Sequence, residues 1–135
     1  RPPVAAIVGE CRRIPVLGMK TEAQRGEPAF YVPEYMARAG YDIVPVPVYY
    51  PGVRQILSRP VYRTVAAVAP PVDMVNVFRR SKDIPPHVDD IIAARPRVAW
   101  FQLGIVNDAA AERLARAGIR VVQDRCLLVE HRRLG

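Results

Sequence analysis

The chain has 135 residues, half of them hydrophobic and 24% charged, which suits one domain with a real core and leaves too little for two comfortable ones. No apolar run approaches the roughly 20 residues that a membrane helix needs, the opening residues carry no signal-peptide pattern, and two cysteines, Cys11 and Cys126, build neither a disulfide framework nor a metal site. The net charge of +7 points to an anionic partner. The arginines are nevertheless scattered, apart from the pairs Arg12-Arg13, Arg79-Arg80 and Arg132-Arg133, whereas a nucleic-acid binder concentrates them on one helix or strip. The expectation is a cytoplasmic protein with reduced thiols, no membrane association, and nucleic acid as a disfavoured partner.

Residues 4–9, VAAIVG, are alanine-containing and read as a leading helix, with Arg12 and Arg13 complementing its carboxyl end. Residues 14–17 run apolar into Gly18 and read as the first strand. Residues 19–28 are polar and broken by Gly26 and Pro28, the signature of a loop. A helix is expected over about 31–39, with Pro33 in its first turn and Gly40 as its stop. Ile43, Val44 and Val46 suit a buried strand that Pro45, Pro47 and Pro51 end early. Residues 52–70 read as a connection with a short helix and a brief extended piece at Val61 and Tyr62. Residues 72–78, VDMVNVF, alternate and are rich in valine, the clearest strand of the chain. Asp83 is placed to cap the next helix and Pro85 and Pro86 to open it, with Ile84, Val88, Ile91 and Ile92 on one face. Residues 97–104 form another strand, Asn107 caps a helix that stops at Gly118, residues 119–123 are the last strand, and a helix over about 126–134 finishes the chain.

This alternation predicts an α/β fold: a Rossmann-like open parallel sheet of about five strands with helices on both faces. In such sheets the ligand sits outside the carboxyl ends of the strands, at the switch point, so five loops are candidates. The first holds Gly18, Met19 and Lys20, where a glycine lets backbone N–H groups approach a phosphate, although no G-x-G-x-x-G is present and a simple turn reads equally well. The second holds Pro45, Val46, Val48 and Tyr49. It lacks the acid with which nicotinamide enzymes hold ribose hydroxyls, and it suits either an adenine wall or loop packing. The third holds Phe78, Arg79 and Arg80, whose forked donors match phosphate oxygens, with a solvated charge pair as the alternative. The fourth holds Gln102 and Gly104, with Asn107 as the following cap. The fifth brings Cys126 beside Arg125, the setting of either a reactive thiol or a buried structural cysteine. His87 and His131 fall on helices and read as surface or packing residues. No nucleophile–base pair stands out, so no reaction is assigned.

The segments GYDIVPVPVYYP, PVDMVNVFRRSKDIPPHVDDII, VAWFQLGIVNDAAAERLARAGIRVVQDRC and EHRRL resemble the stand-alone CoA-binding proteins, themselves similar to the N-terminal CoA-binding domain of succinyl-CoA synthetase alpha subunits. The resemblance covers about residues 12–135, and VFRRS, WFQLGIVN and QDRC together make it specific. It implies a single CoA-binding domain over 1–135 that binds CoA or an acyl-CoA. Arg79 and Arg80 would hold phosphates, Gly18 to Lys20 the diphosphate, and Val46 to Tyr49 the adenine, while Gln102 and Gly104 would border the pantetheine arm. Met19 and Lys20 stand where the family has small residues, and Pro47 where it has asparagine. The phosphohistidine and ATP-grasp parts of the synthetase lie outside this chain, so the expected role is non-catalytic: a carrier, a sensor, a partner subunit or a homo-oligomer. The competing readings are an NAD(P)-binding oxidoreductase-like domain, with Arg54 nearest to a 2′-phosphate, and a nucleic-acid binder whose affinity falls steeply with salt.

Overall fold

The computed structural model describes residues 2–135. Its strands are β1 (Arg13–Leu17), β2 (Asp42–Val46), β3 (Gln55–Ile56), β4 (Arg59–Pro60), β5 (Met74–Val77), β6 (Val98–Phe101) and β7 (Arg120–Val122). Five of them form one sheet in the order β2-β1-β5-β6-β7, and every pairing in it is parallel. The chain moves outward from β1 to β2, then crosses back to β5, so the order reverses between β1 and β5, where α/β sheets open a crevice.

Helices α1 (Val4–Glu10), α2 (Pro28–Arg38) and α5 (Leu127–Arg132) cover one face, and α3 (Val88–Ala94) and α4 (Asp108–Arg116) the other. Successive strand residues alternate between the faces: Met74 and Trp100 pack with Phe30, Met36 and Leu127, while Val75, Val77 and Phe101 pack with Ile91 and Leu114. Burial on both faces explains why the strands read as apolar runs. Each such large side chain stabilises the fold by about 1.5–3 kcal/mol relative to exposure. Among the described residues no helix is long and apolar enough to cross a membrane.

Three local expectations are corrected. Helix α2 begins at Pro28 rather than near Tyr31, so Pro33 lies inside the helix and not in its first turn. Pro33 has no N–H to offer the carbonyl of Ala29. The backbone N–H of Lys20 donates to that carbonyl instead, at 3.1 Å, so the break in the helix ladder pins the β1–α2 loop. Residues 52–70 contain no helix; β3 and β4 form an antiparallel hairpin. Its two turn residues, Leu57 and Ser58, have φ of 53° and 59°, the backbone of a type I′ turn built without the usual Asn-Gly. The backbone N–H of Leu57, half-buried, donates to Glu22 Oε2 at 2.9 Å, which supports that turn from a neighbouring segment. Finally, Asp83 caps no α-helix. It ends one 3-10 turn (Ser81–Asp83), a second follows at Pro85–His87, and α3 starts only at Val88.

Candidate functional site

The exits of β1 and β5 meet at Gly18. Its φ is +86°, and a Cβ built there would lie 2.2 Å from the carbonyl oxygen of Phe78. Only glycine fits, because backbone closes on the end of β1 from both sides: Phe78 N–H donates to Leu17 O from the β5 side, and Gly18 N–H donates to Val46 O at the end of β2, both at 2.9 Å. The stem of Arg79 runs over the same spot, since that Cβ would also meet Arg79 Cδ at 3.3 Å. Gly18 is therefore held by close packing of the crevice floor.

Above this floor lies a cavity of about 220 Å³. Lys20, Phe78, Arg79, Arg80 and Gln102 line it; Glu27, Pro28 and Ala29 wall it from the start of α2, and Leu103 and Ile105 from the exit of β6. Five of the residues expected at the site thus share one hollow. Larger hollows of about 480 Å³ lie elsewhere, one beside Tyr35 and His131, the other between Pro70 and Arg97. Neither contains a strand's carboxyl end, and Arg97 is paired with Asp73 at 3.6 Å, so the smaller crevice is taken as the candidate site.

Its three cations differ. Lys20 Nζ is held by Glu27, and that hydrogen bond raises the lysine above its ordinary pKa. Arg80 is largely exposed and its Nε donates to Asp83 Oδ2 at 3.2 Å. Arg79 has neutral partners: Nε donates to His87 Nε2 at 3.2 Å and Nη1 to Tyr49 Oη at 3.3 Å, with the guanidinium 5.5 Å from the Tyr49 ring centroid. Among the described residues no carboxylate forms an ion pair with Arg79. Burial, then the neighbouring Arg79, holds His87 below the usual histidine range, and the Arg79 hydrogen bond lowers the phenol of Tyr49.

Other expected residues take structural positions. Met19, Pro45 and Val46 are buried, Met19 and Val46 in the two core clusters and Pro45 within β2, so they present no side chain to a ligand. Val48 is half-buried, while Tyr49 is exposed over Arg79. Gly104 N–H donates to Asp124 Oδ1 at 2.7 Å. Asn107 caps α4 as expected, its Oδ1 accepting from Ala110 N–H at 3.0 Å, and its Nδ2 ties Ser81 O at 2.8 Å. Cys126 lies outside the crevice, in a separate hollow of about 400 Å³ that shares only Leu103 with it.

Gln102 is more deeply engaged than expected. Its Oε1 accepts from Leu127 N–H at 3.3 Å and from Asn76 Nδ2 at 3.4 Å. Among the described residues Asn76 Oδ1 is then left buried without a partner, an acceptor two residues before Phe78. Sequence reasoning missed Asn76, whose signal was an amide inside a valine-rich strand. It also set His87 aside as a surface or packing residue, whereas His87 abuts Arg79.

Residues 12–132 match the family described as the CoA binding domain. YneT of Bacillus subtilis (strain 168) is 31% identical over 128 residues, covering 95% of this chain and 91% of that protein. The structure of cell-free ID.343 from Thermus thermophilus superposes with a TM-score of 0.87 at 34% identity, over 96% of this chain and 95% of that one. A protein from Pyrococcus horikoshii OT3 gives 0.84 at 26% identity, over 99% and 96%. The five-stranded parallel sheet, the reversal between β1 and β5 and the match over nearly the whole length agree: the chain belongs to the CoA binding domain family.

Proposed function

We propose that the crevice at the carboxyl ends of β1, β5 and β6 binds CoA or an acyl-CoA, and that the chain works as a binding module without a reaction of its own. The observation that carries this reading is Arg79, a guanidinium on the cavity wall whose partners are neutral, so its charge is open to a phosphate. Arg80 beside it supplies a second, more exposed fork. The exit of β2 runs through Val46, Pro47, Val48 and Tyr49 with no acid for a ribose diol, which favours CoA over NAD. The binding-only role is supported by the lining itself, where Lys20 is tied up by Glu27 and Gln102 by α5.

Titration calorimetry with CoA, dephospho-CoA and NADP tests the reading. CoA is expected to bind, and Arg79→Ala to weaken it by about 10- to 100-fold, the worth of a hydrogen bond to a charged group. A loss of affinity for dephospho-CoA relative to CoA would assign the 3′-phosphate to the arginine pair. Binding of NADP by folded protein that ignores CoA would sink the proposal.

A further inference from the structure

We propose that His87 is a positioning residue for the anion site: as a neutral imidazole it braces Arg79, and protonating it releases the brace and weakens the ligand. The inference rests on the crevice being the CoA site, and it adds a residue and a pH dependence to that reading.

The chemistry of the contact leaves one arrangement. An arginine Nε only donates, so the His87 Nε2 facing it at 3.2 Å must carry a lone pair, with the ring proton on Nδ1. An imidazolium has no lone pair and would face the guanidinium as a second cation. Of the five N–H donors of Arg79, one goes to His87 and one to Tyr49, which leaves three, both on Nη2 and one on Nη1. Those three form the fork that a phosphate accepts from, while Tyr49 stacks against the guanidinium from the β2 side.

His87 is itself fixed by contacts independent of Arg79. Its backbone N–H donates to Ile84 O at 2.8 Å, and Ile84 and Val88, on either side, are fully buried. The segment is anchored further up, where Asn107 Nδ2 holds Ser81 O and Ser81 Oγ donates to Val106 O at 2.5 Å. The brace is thus a rigid point against which a long side chain is set, so less freedom is lost when the ligand arrives.

The charged groups around the ring are Arg79, Asp83 and Asp90. Asp90 is occupied by the N–H groups of Val65 and Ala66 at 2.8 and 2.9 Å, and Asp83 by Arg80. Burial and Arg79 outweigh the two carboxylates and favour the neutral ring, so the brace is set at neutral pH and is lost on acidification.

The experiment is a CoA titration from about pH 8 to about pH 5 on the wild type, His87→Gln, His87→Ala, Arg79→Ala and the double variant, with thermal unfolding as the check on folding. Glutamine keeps an acceptor for Arg79 Nε and does not titrate. At the upper pH His87→Ala is expected to bind about 3- to 10-fold more weakly, His87→Gln within about twofold of wild type, and the double variant no more weakly than Arg79→Ala alone. On acidification the wild type should lose affinity relative to His87→Gln, a ratio from which protonation of the ligand's own phosphates cancels. Tyr49→Phe, at an exposed ring, gives a second test of bracing that leaves the fold alone. If His87→Ala binds like wild type while Arg79→Ala is weak, the brace is wrong and the crevice stands. An affinity that rises on acidification relative to His87→Gln also overturns it, because the imidazolium would then be adding charge. Failure of wild type to bind CoA at any pH removes both readings.

Discussion

At the amino ends of the strands, Arg13 and Arg59 share the two carboxylate oxygens of Asp42, at 2.5 and 2.6 Å. Nearby, Asp73 accepts the backbone N–H groups of Arg12 and Arg13, both at 2.9 Å, and pairs with Arg97. At the carboxyl ends the arrangement inverts: Arg79 leans on an imidazole and a phenol, and no carboxylate answers it among the described residues. The same side chain closes one end of the sheet and leaves the other end open to an anion. A net charge of +7 therefore does not locate a binding site, since many of the arginines, such as Arg13, Arg59, Arg97 and Arg113, already face carboxylates. The proposed site rests instead on Arg79, which lines the crevice and whose hydrogen-bond partners there, His87 and Tyr49, leave its charge unneutralised.

The contrast breaks most visibly at Gly18. Alanine there would adopt an unfavourable φ and drive its Cβ into Phe78 O, so Gly18→Ala should lose about 2 kcal/mol or more in urea unfolding. A loss below about 0.5 kcal/mol would mean that the β1 and β5 exits part easily and that the crevice has no rigid floor. Next in size is a double dissociation. Arg79→Ala should leave stability nearly intact while weakening CoA, whereas Arg13→Ala, which strips Asp42 of one partner at a largely buried side chain, should cost about 1 kcal/mol of stability and leave CoA affinity unchanged. Equal losses of affinity in the two variants would show that a diffuse field, and not one guanidinium, holds the ligand.

The legible parts of the molecule were those with a period or a cap. VDMVNVF and RVAWFQLG announced β5 and β6 because both faces of a parallel strand are buried, the second reading overrunning the strand at its ends, and Asn107 announced α4 because its side chain replaces a missing intrahelical partner. The β3–β4 hairpin was hidden because Leu57 and Ser58, not Asn and Gly, take its left-handed turn, with Glu22 from a distant loop making up the support. The start of α2 was hidden because Pro33 reads as a first-turn proline, and only the Lys20 N–H on Ala29 O shows how an interior one is tolerated. At the site, Arg79, Arg80, Lys20, Phe78 and Gln102 followed from the topology, which sends strand ends to one place. His87 did not, because two 3-10 turns and two prolines fold it back on Arg79, and no periodicity encodes that return.

Asp42 gives a pH test of the closed end. Partial burial pulls its carboxyl upward, but hydrogen bonds from Arg59 and Arg13 outweigh that, and the folded pKa lies below the ordinary aspartate value. A depressed folded pKa contributes stability that is present above the unfolded value of about 3.9 and is lost as pH falls through the folded one. Asp42→Asn should therefore be less stable than wild type near neutral pH, and the gap should close under acid. A gap that persists unchanged at about pH 2 would assign it to geometry rather than to charge.

The smallest expected effect changes neither stability nor binding and reads how tightly each end is sealed. Cys11 is 1% exposed at the amino end, and burial pushes its thiol up to about 11 even with Arg97 nearby. Cys126 is half-buried, on the wall of an open hollow beside Leu103 at the carboxyl end. A thiolate is the reactive form and needs access, so an aromatic disulfide reagent at about pH 8 should label Cys126 promptly and Cys11 only at the rate of unfolding. Cys126→Ser should remove the fast phase and leave the slow one. Two fast phases would mean that the amino end opens in the native state, and the carboxylate clamps at Asp42 and Asp73 would then close that end less tightly than their geometry implies.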